Sequence, residues 1–219
     1  MKLSKQIFLQ YHSFNFPSVF TGTDRYHINP STFESHVKHI SKYNDFIITF
    51  DDGSSTVFDV AFPILKQFNI NAIIFIDTAG LGKTRMSVSN VEEMSKAGIT
   101  FQSHSHSHRN HYKLSEKEII YEGEKSKEII ENITNEAVDK YAFPRGTYSK
   151  NICALLSDIG YKDFFTSDYG LRTKAYQYYN IHDRINIHAD KSLKYFIRKD
   201  IIFLNRSRIR LSKLKQWLI

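Results

Sequence analysis

The sequence predicts an α/β fold in which strands and helices alternate around a parallel sheet. Three observations lead there. Short apolar runs recur between longer stretches of helical spacing, helix-capping signatures precede two of those stretches, and polar clusters fall where the apolar runs end. About seven or eight such runs in one domain favour closure into a (β/α) barrel over an open sheet.

Ile7–Tyr11 reads as the first strand. Ser31-Thr32-Phe33-Glu34 has the form of a capping box, opening a helix whose apolar side includes Phe33, Val37 and Ile40. Phe46–Phe50 is an apolar run of the kind buried on both faces. Val57, Val60, Ala61, Ile64, Leu65 and Phe68 then follow at helical spacing, and Ala72–Ile76 returns as a strand. Val91–Lys96 predicts a short helix and Ile99–Gln102 a strand. A second capping box, Ser115-Glu116-Lys117-Glu118, starts a helix reaching about Asn132. Tyr141–Phe143 and Phe164–Ser167 predict strands on either side of a helix from about Ser149, and Ile185–Ile187 is the last expected strand.

A chain that is 41% hydrophobic and 14% aromatic is not a disordered one. No stretch approaches the roughly 18 to 20 apolar residues of a membrane-spanning helix. Met1-Lys2-Leu3-Ser4-Lys5-Gln6 lacks the apolar run of a secretory leader, and a lone Cys153 fits a reducing compartment. The expected location is the cytoplasm.

The net charge of +7 is unevenly placed. Residues 191–219 hold nine Lys/Arg against Asp200 alone, which leaves residues 1–190 at −1. The chain therefore divides into a nearly neutral body, 1–190, and a basic tail, 191–219. In the tail Leu211, Leu214, Trp217 and Leu218 recur at helical spacing between the bases. Such a segment is expected to pack its apolar stripe on the body; peripheral contact with an anionic inner-membrane surface is the alternative. No nucleic acid partner is expected.

The polar clusters carry the chemistry. Asp51-Asp52-Gly53 follows the Phe46–Phe50 run. Adjacent carboxylates at a strand end repel, and a cation relieves the repulsion while dividing the labour: one Asp ligates, the other orients a water as base. Four histidines, His104, His106, His108 and His111, follow the Ile99–Gln102 run. If the stretch stays extended, His104, His106 and His108 share a face. If it turns helical, His104 and His108 pair at i, i+4 and need a third ligand such as an Asp.

Ile48-Thr49-Phe50-Asp51-Asp52-Gly53, Ser103-His104-Ser105-His106-Ser107-His108 and Tyr141-Ala142-Phe143-Pro144-Arg145-Gly146-Thr147-Tyr148-Ser149 resemble, in order and spacing, the first three motifs of the polysaccharide deacetylase (NodB homology) family, carbohydrate esterase family four. The third is closest to a subgroup with Phe-Ala-Tyr-Pro-Phe-Gly. Leu9-Gln10-Tyr11-His12, Ala61-Phe62-Pro63-Ile64-Leu65 and Arg184-Ile185-Asn186-Ile187 extend the likeness over roughly residues 6–190. The resemblance implies a distorted (β/α) barrel of about seven strands and a metal-dependent amide hydrolase acting on N-acetylated sugars. By position it makes Asp51 the general base and Asp52, His104 and His108 the metal ligands. The backbone N–H of Arg145 would donate to the oxyanion, and Pro144 and Tyr148 would line the substrate site. Two His and one carboxylate suit Zn; Co, Ni, Mn and Fe are also admissible.

Three departures from the family pattern matter. Ala142 stands where many members carry an Arg that orients the base, and Arg184 is the candidate replacement. Arg145 stands in place of a common aromatic, which hints at an anionic saccharide. The late Leu-x-His motif, which supplies a general acid, has only the weak counterpart Ile187-His188, so His12 is the favoured candidate. The expected activity is N-deacetylation of an amino-sugar glycan or a lipid-linked precursor. Hydrolysis of another non-peptide amide, or non-catalytic binding of carbohydrate around a structural metal, are the alternatives.

Overall fold

The computed structural model describes residues 6–14, 25–167, 178–189 and 193. Seven parallel strands close into a barrel in the order β1 (Ile7–Tyr11), β4 (Phe46–Phe50), β5 (Ala72–Ile76), β6 (Thr100–Ser103), β7 (Lys140–Ala142), β8 (Asp163–Thr166) and β9 (Asn180–Asn186). β9 returns to β1 with Phe8 opposite Arg184 and Gln10 opposite Asn186, which closes the ring. β2 (Ser13–Phe14) and β3 (His27–Ile28), which the sequence reading did not anticipate, form a small parallel pair beside it. The basic tail lies outside the described residues apart from Leu193, which is buried. No described helix is long and apolar enough to cross a membrane.

Helices α1 (Pro30–Ile40), α2 (Phe62–Gln67), α3 (Val88–Lys96), α4 (Glu116–Thr134) and α5 (Lys150–Asp158) lie between successive strands in the chain. The first does not start on the expected capping box. Asn29 is its N-cap, and its Oδ1 accepts from both the backbone N–H (3.0 Å) and the hydroxyl (2.7 Å) of Ser31. Pro30, whose fixed φ suits the first helical position, makes Asn29 the better start. The second expected box is present: Ser115 caps α4 and Glu118 reaches back to the Ser115 N–H. The stretch before α2 winds as one π-turn, Val57–Ala61, before tightening.

The period-2 alternation of the strands separates two apolar layers. Leu9, Tyr11, Ile48, Phe50, Ile74 and Ile76 belong to the large cluster that also takes in helix residues such as Phe33, Leu65 and Val91. Phe8, Phe75, Ala142 and Phe165 form a second, smaller cluster with Ile47 and Ile73. Phe46–Phe50 was expected to be buried throughout, but Phe46 and Ile47 are half-buried and burial is complete only from Ile48. The last strand begins five residues before the expected one. Its polar run His182-Asp183-Arg184 hides the strand from an apolar pattern, because these side chains are satisfied by partners on other strands: His182 bonds Asp163 and Arg184 bonds Asp51.

Candidate active site

The chemistry-bearing residues gather at the carboxyl ends of the barrel strands. The Asp51 N–H donates to the Tyr11 carbonyl (3.0 Å), continuing the β1–β4 ladder by one residue. The chain then turns sharply, with Asp52 at φ 68° and Gly53 at φ 76°. Gly53 is required there, since a Cβ would lie 2.4 Å from Ile76 Cγ1. The turn sends the two carboxylates to different surroundings: Asp51 is buried, while the Asp52 side chain is 27% exposed and faces His104 and His108.

After β6 the chain is neither extended nor helical: His104 and His108 are paired as in the second expected geometry, but by a bend and not by a helix. Ser105 (φ 67°) and His108 (φ 55°) adopt left-handed conformations. Ser105 Oγ accepts the His108 N–H (2.9 Å), closing a bend that brings the His104 and His108 rings to 4.9 Å. The bend is anchored by buried Glu122 of α4, which accepts from both the N–H (2.7 Å) and the hydroxyl of Ser107. His106 is directed elsewhere, to Thr78 Oγ1 (2.8 Å). His111 is buried, with Nδ1 donating to the Arg109 carbonyl (3.0 Å) and Nε2 accepting from Tyr141 Oη (2.7 Å).

Asp52, His104 and His108 each offer one ligand atom, and these atoms lie within 4.8 Å of one another. Asp52 Oδ1 is 3.5 Å from His104 Nε2 and 3.3 Å from His108 Nε2. His104 Nδ1 lies 2.8 Å from the Ala142 carbonyl, which only accepts, so Nδ1 carries the proton and Nε2 presents a lone pair. For His108, burial lowers the pKa, His104 lowers it further and Asp52 opposes the drop, so the neutral, ligating form is favoured. Bonds of roughly 2.0–2.1 Å in a tetrahedral zinc site place neighbouring ligands about 3.4 Å apart, which these separations match.

Asp51 is held from β9, two strands round the barrel from β4. Arg184 Nη1 donates to Oδ1 (2.5 Å) and Nη2 to Oδ2 (2.8 Å), a bidentate clamp across 133 residues of sequence. Arg184 is itself 1% exposed; its Nε donates to the Thr166 carbonyl (3.0 Å), and its guanidinium lies 5.2 Å from the Phe75 ring centroid. Burial alone would raise the Asp51 pKa, but the charge of Arg184 and its hydrogen bonds hold it well below the usual carboxylate range. Gln10, which the sequence reading did not single out, donates from Nε2 to Asp51 Oδ2 (2.7 Å) and to Ser167 Oγ (3.1 Å). Its one sequence signal is position: it stands two residues before His12, on the same face of a strand.

The remaining candidates take varied positions. His12 directly follows β1, with its ring 4.7 Å from that of Tyr26, which in turn lies 5.4 Å from the His188 ring and 5.1 Å from the Arg25 guanidinium. Burial lowers the His12 pKa, and the nearby charges of Asp51 and Asp52 oppose the drop. Arg145 is exposed and occupies the left-handed region at φ 57° within the turn Pro144–Gly146. Pro144 is buried, and Tyr148 stacks on Phe143 (5.3 Å, 22°) while its carbonyl accepts from Tyr112 Oη (2.6 Å).

A family model described as polysaccharide deacetylase matches residues 40–164, more than half the chain and the span that holds Asp51, Asp52 and the histidine bend. The chain belongs to the polysaccharide deacetylase family. Among curated members, poly-beta-1,6-N-acetyl-D-glucosamine N-deacetylase of Staphylococcus aureus (strain MSSA476) is 27% identical over 177 residues, covering 64% of this chain and 61% of its own length. YxkH of Bacillus subtilis, whose polysaccharide deacetylase name is itself provisional, is 26% identical over 137 residues, 62% of this chain and 49% of that protein. The chain thus spans about half to three fifths of the curated relatives it matches.

Solved polysaccharide deacetylase structures share the barrel. The Streptococcus pyogenes deacetylase PplD, in complex with acetate, superposes with a TM-score of 0.80 at 21% identity, over 89% of this chain and 97% of that one. A Bacillus cereus polysaccharide deacetylase gives 0.79 at 23% identity, over 90% and 69%. At these identities the likeness speaks for the fold.

Proposed function

We propose that this chain is a metal-dependent N-deacetylase that removes acetyl groups from N-acetylated amino sugars of a glycan or a lipid-linked glycan precursor. One observation carries the reading: a buried carboxylate, clamped in its ionised form, lies beside an Asp-His-His set whose ligand atoms converge. Zinc fits that donor set best, with Co, Ni, Mn and Fe chemically admissible. A divalent ion held by Asp52, His104 and His108 would supply Lewis-acid polarisation of the acetamide carbonyl and a more acidic water.

The chain's own residues do the rest. Asp51 accepts the proton of the attacking water, and the Arg184 clamp fixes which lone pair receives it. The backbone N–H of Arg145 donates to the developing oxyanion. His12 delivers a proton to the departing sugar nitrogen; burial makes that proton easier to give up, while Asp51 and Asp52 keep the imidazolium accessible. Pro144 and Tyr148 line the sugar site, and the exposed Arg145 guanidinium suits an anionic saccharide. For a lipid-linked substrate, the basic composition of residues 191–219 would suit peripheral contact with an anionic inner-membrane surface.

The Staphylococcus relative is named for poly-beta-1,6-N-acetyl-D-glucosamine, which makes oligomers of that polymer the first substrate to assay. Acetate release should be abolished by chelation, restored by zinc and lost in Asp51→Asn. Turnover that survives chelation or Asp51→Asn would overturn the reading. Saccharide binding with no acetate release would mark a binding protein instead.

A further inference from the structure

Gln10 is 1% exposed and lies in the strand that closes the barrel. Its side-chain amide is oriented by the site. Both Nε2 protons are used, one on Asp51 Oδ2 at 2.7 Å and one on Ser167 Oγ at 3.1 Å. Its Oε1 is buried and has no hydrogen-bond partner among the described residues. Leaving a buried acceptor unpaired is unfavourable, and an amide placed for packing alone would be replaced without loss by an apolar side chain of the same size. The arrangement makes sense if the amide must donate to an ionised Asp51: turned over, it would point a lone pair at a carboxylate.

Arg184 leaves a gap that this contact fills. The guanidinium takes one lone pair on each Asp51 oxygen from the β9 side. Gln10 adds a second donor to Oδ2 from β1 and links that oxygen through Ser167 to the end of β8. Oδ2 is also the oxygen that lies 3.9 Å from His104 Nε2, so the Gln10 contact holds the edge of the carboxylate that faces the candidate ligand set. We propose that Gln10 is a positioning residue for the deacetylation reaction: it fixes the Asp51 carboxylate with Oδ2 turned toward His104 and the candidate ligand set. The proposal rests on the reading of Asp51 as general base.

The test compares Gln10→Leu and Gln10→Glu, both close to Gln in size, in the metal-loaded enzyme. The expected result for Gln10→Leu is a kcat about tenfold lower with KM and metal content unchanged, the loss of one charge-assisted hydrogen bond to a reacting group. Gln10→Glu should lose more, because it replaces a donor with a second carboxyl group facing Asp51. Thermal midpoints of Gln10→Leu, Asp51→Asn and the double variant should be non-additive, a readout that needs no turnover. Additive midpoints, or unchanged kcat in both variants, would overturn the proposal even in an active enzyme. If the wild type deacetylates no glycan, the proposed function fails and the positioning role falls with it, and coupled midpoints would then report a structural contact only.

Discussion

The two walls of the barrel mouth are built differently. On the β4–β6 side, Asp51, Asp52, His104 and His108 come from two short loops, each reading as a compact cluster in the chain. On the β9–β1 side, Arg184, Gln10 and His12 are single residues in or just after otherwise apolar or mixed strands; Gln10 and His12 meet the first wall because β1 pairs with β4, and Arg184 because β9 pairs with β1. Ligand sets need several donors close together, so they leave dense signatures. A carboxylate clamp needs one side chain at the right height on a distant strand, and leaves almost none.

The sharpest way to break this contrast is to disable one wall and measure what the other retains. Asp52→Ala should lose metal and reduce turnover by on the order of 10³-fold, measured by metal analysis and acetate release on the same sample. If metal content stays full, the first wall has been misread. Arg184→Lys keeps the buried charge and abandons the bidentate fork, so kcat should fall by on the order of 10²-fold with metal retained. Arg184→Ala would in addition strand a buried carboxylate and cost about 3–5 kcal/mol of stability, which chemical unfolding would register. Metal loss in Arg184→Lys would show that the walls are not separable.

His12→Gln sharpens the comparison further. Turnover should fall by roughly 10²-fold, and the alkaline limb of the pH–rate profile should disappear. An alkaline limb that persists would move the general acid elsewhere, with His188, across the Tyr26 ring, next to be tested.

The smallest expected effect concerns stability. Burial lowers the His111 pKa from 6.5 to about 4, although the Arg109 carbonyl and Glu122 favour its charged form. The unfolded chain therefore binds a proton first as pH drops. Stability from this residue is complete above pH 6.5, is lost as pH falls towards about 4, and is flat below that. The loss is at most about 3 kcal/mol. Urea midpoints across that range should flatten in His111→Gln, and an unchanged slope would remove the assignment.

Much of the architecture was legible because short apolar runs such as Ile7–Tyr11, Phe46–Phe50 and Ala72–Ile76 match the observed strands end to end. β9 was mostly missed for the same reason that it matters: a strand carrying His182, Asp183 and Arg184 breaks the apolar pattern. The pairing of His104 with His108 was among the expected geometries, but its cause was not. Left-handed Ser105 and His108 lie outside what spacing rules describe, and the buried Glu122 that pins the bend comes from a helix fourteen residues beyond His108. Gln10 gave no chemical signal at all, since a single amide in a strand is unremarkable until its neighbours across the barrel are known.

The order of the chain has a consequence for synthesis. Asp52, His104 and His108 are all added to the chain by residue 108, whereas Arg184 is added with the last described barrel strand, so the candidate ligands are made well before the clamp on Asp51. On the proposed reading, Asp51 would become an aligned base only when the last described stave of the cylinder locks against the first.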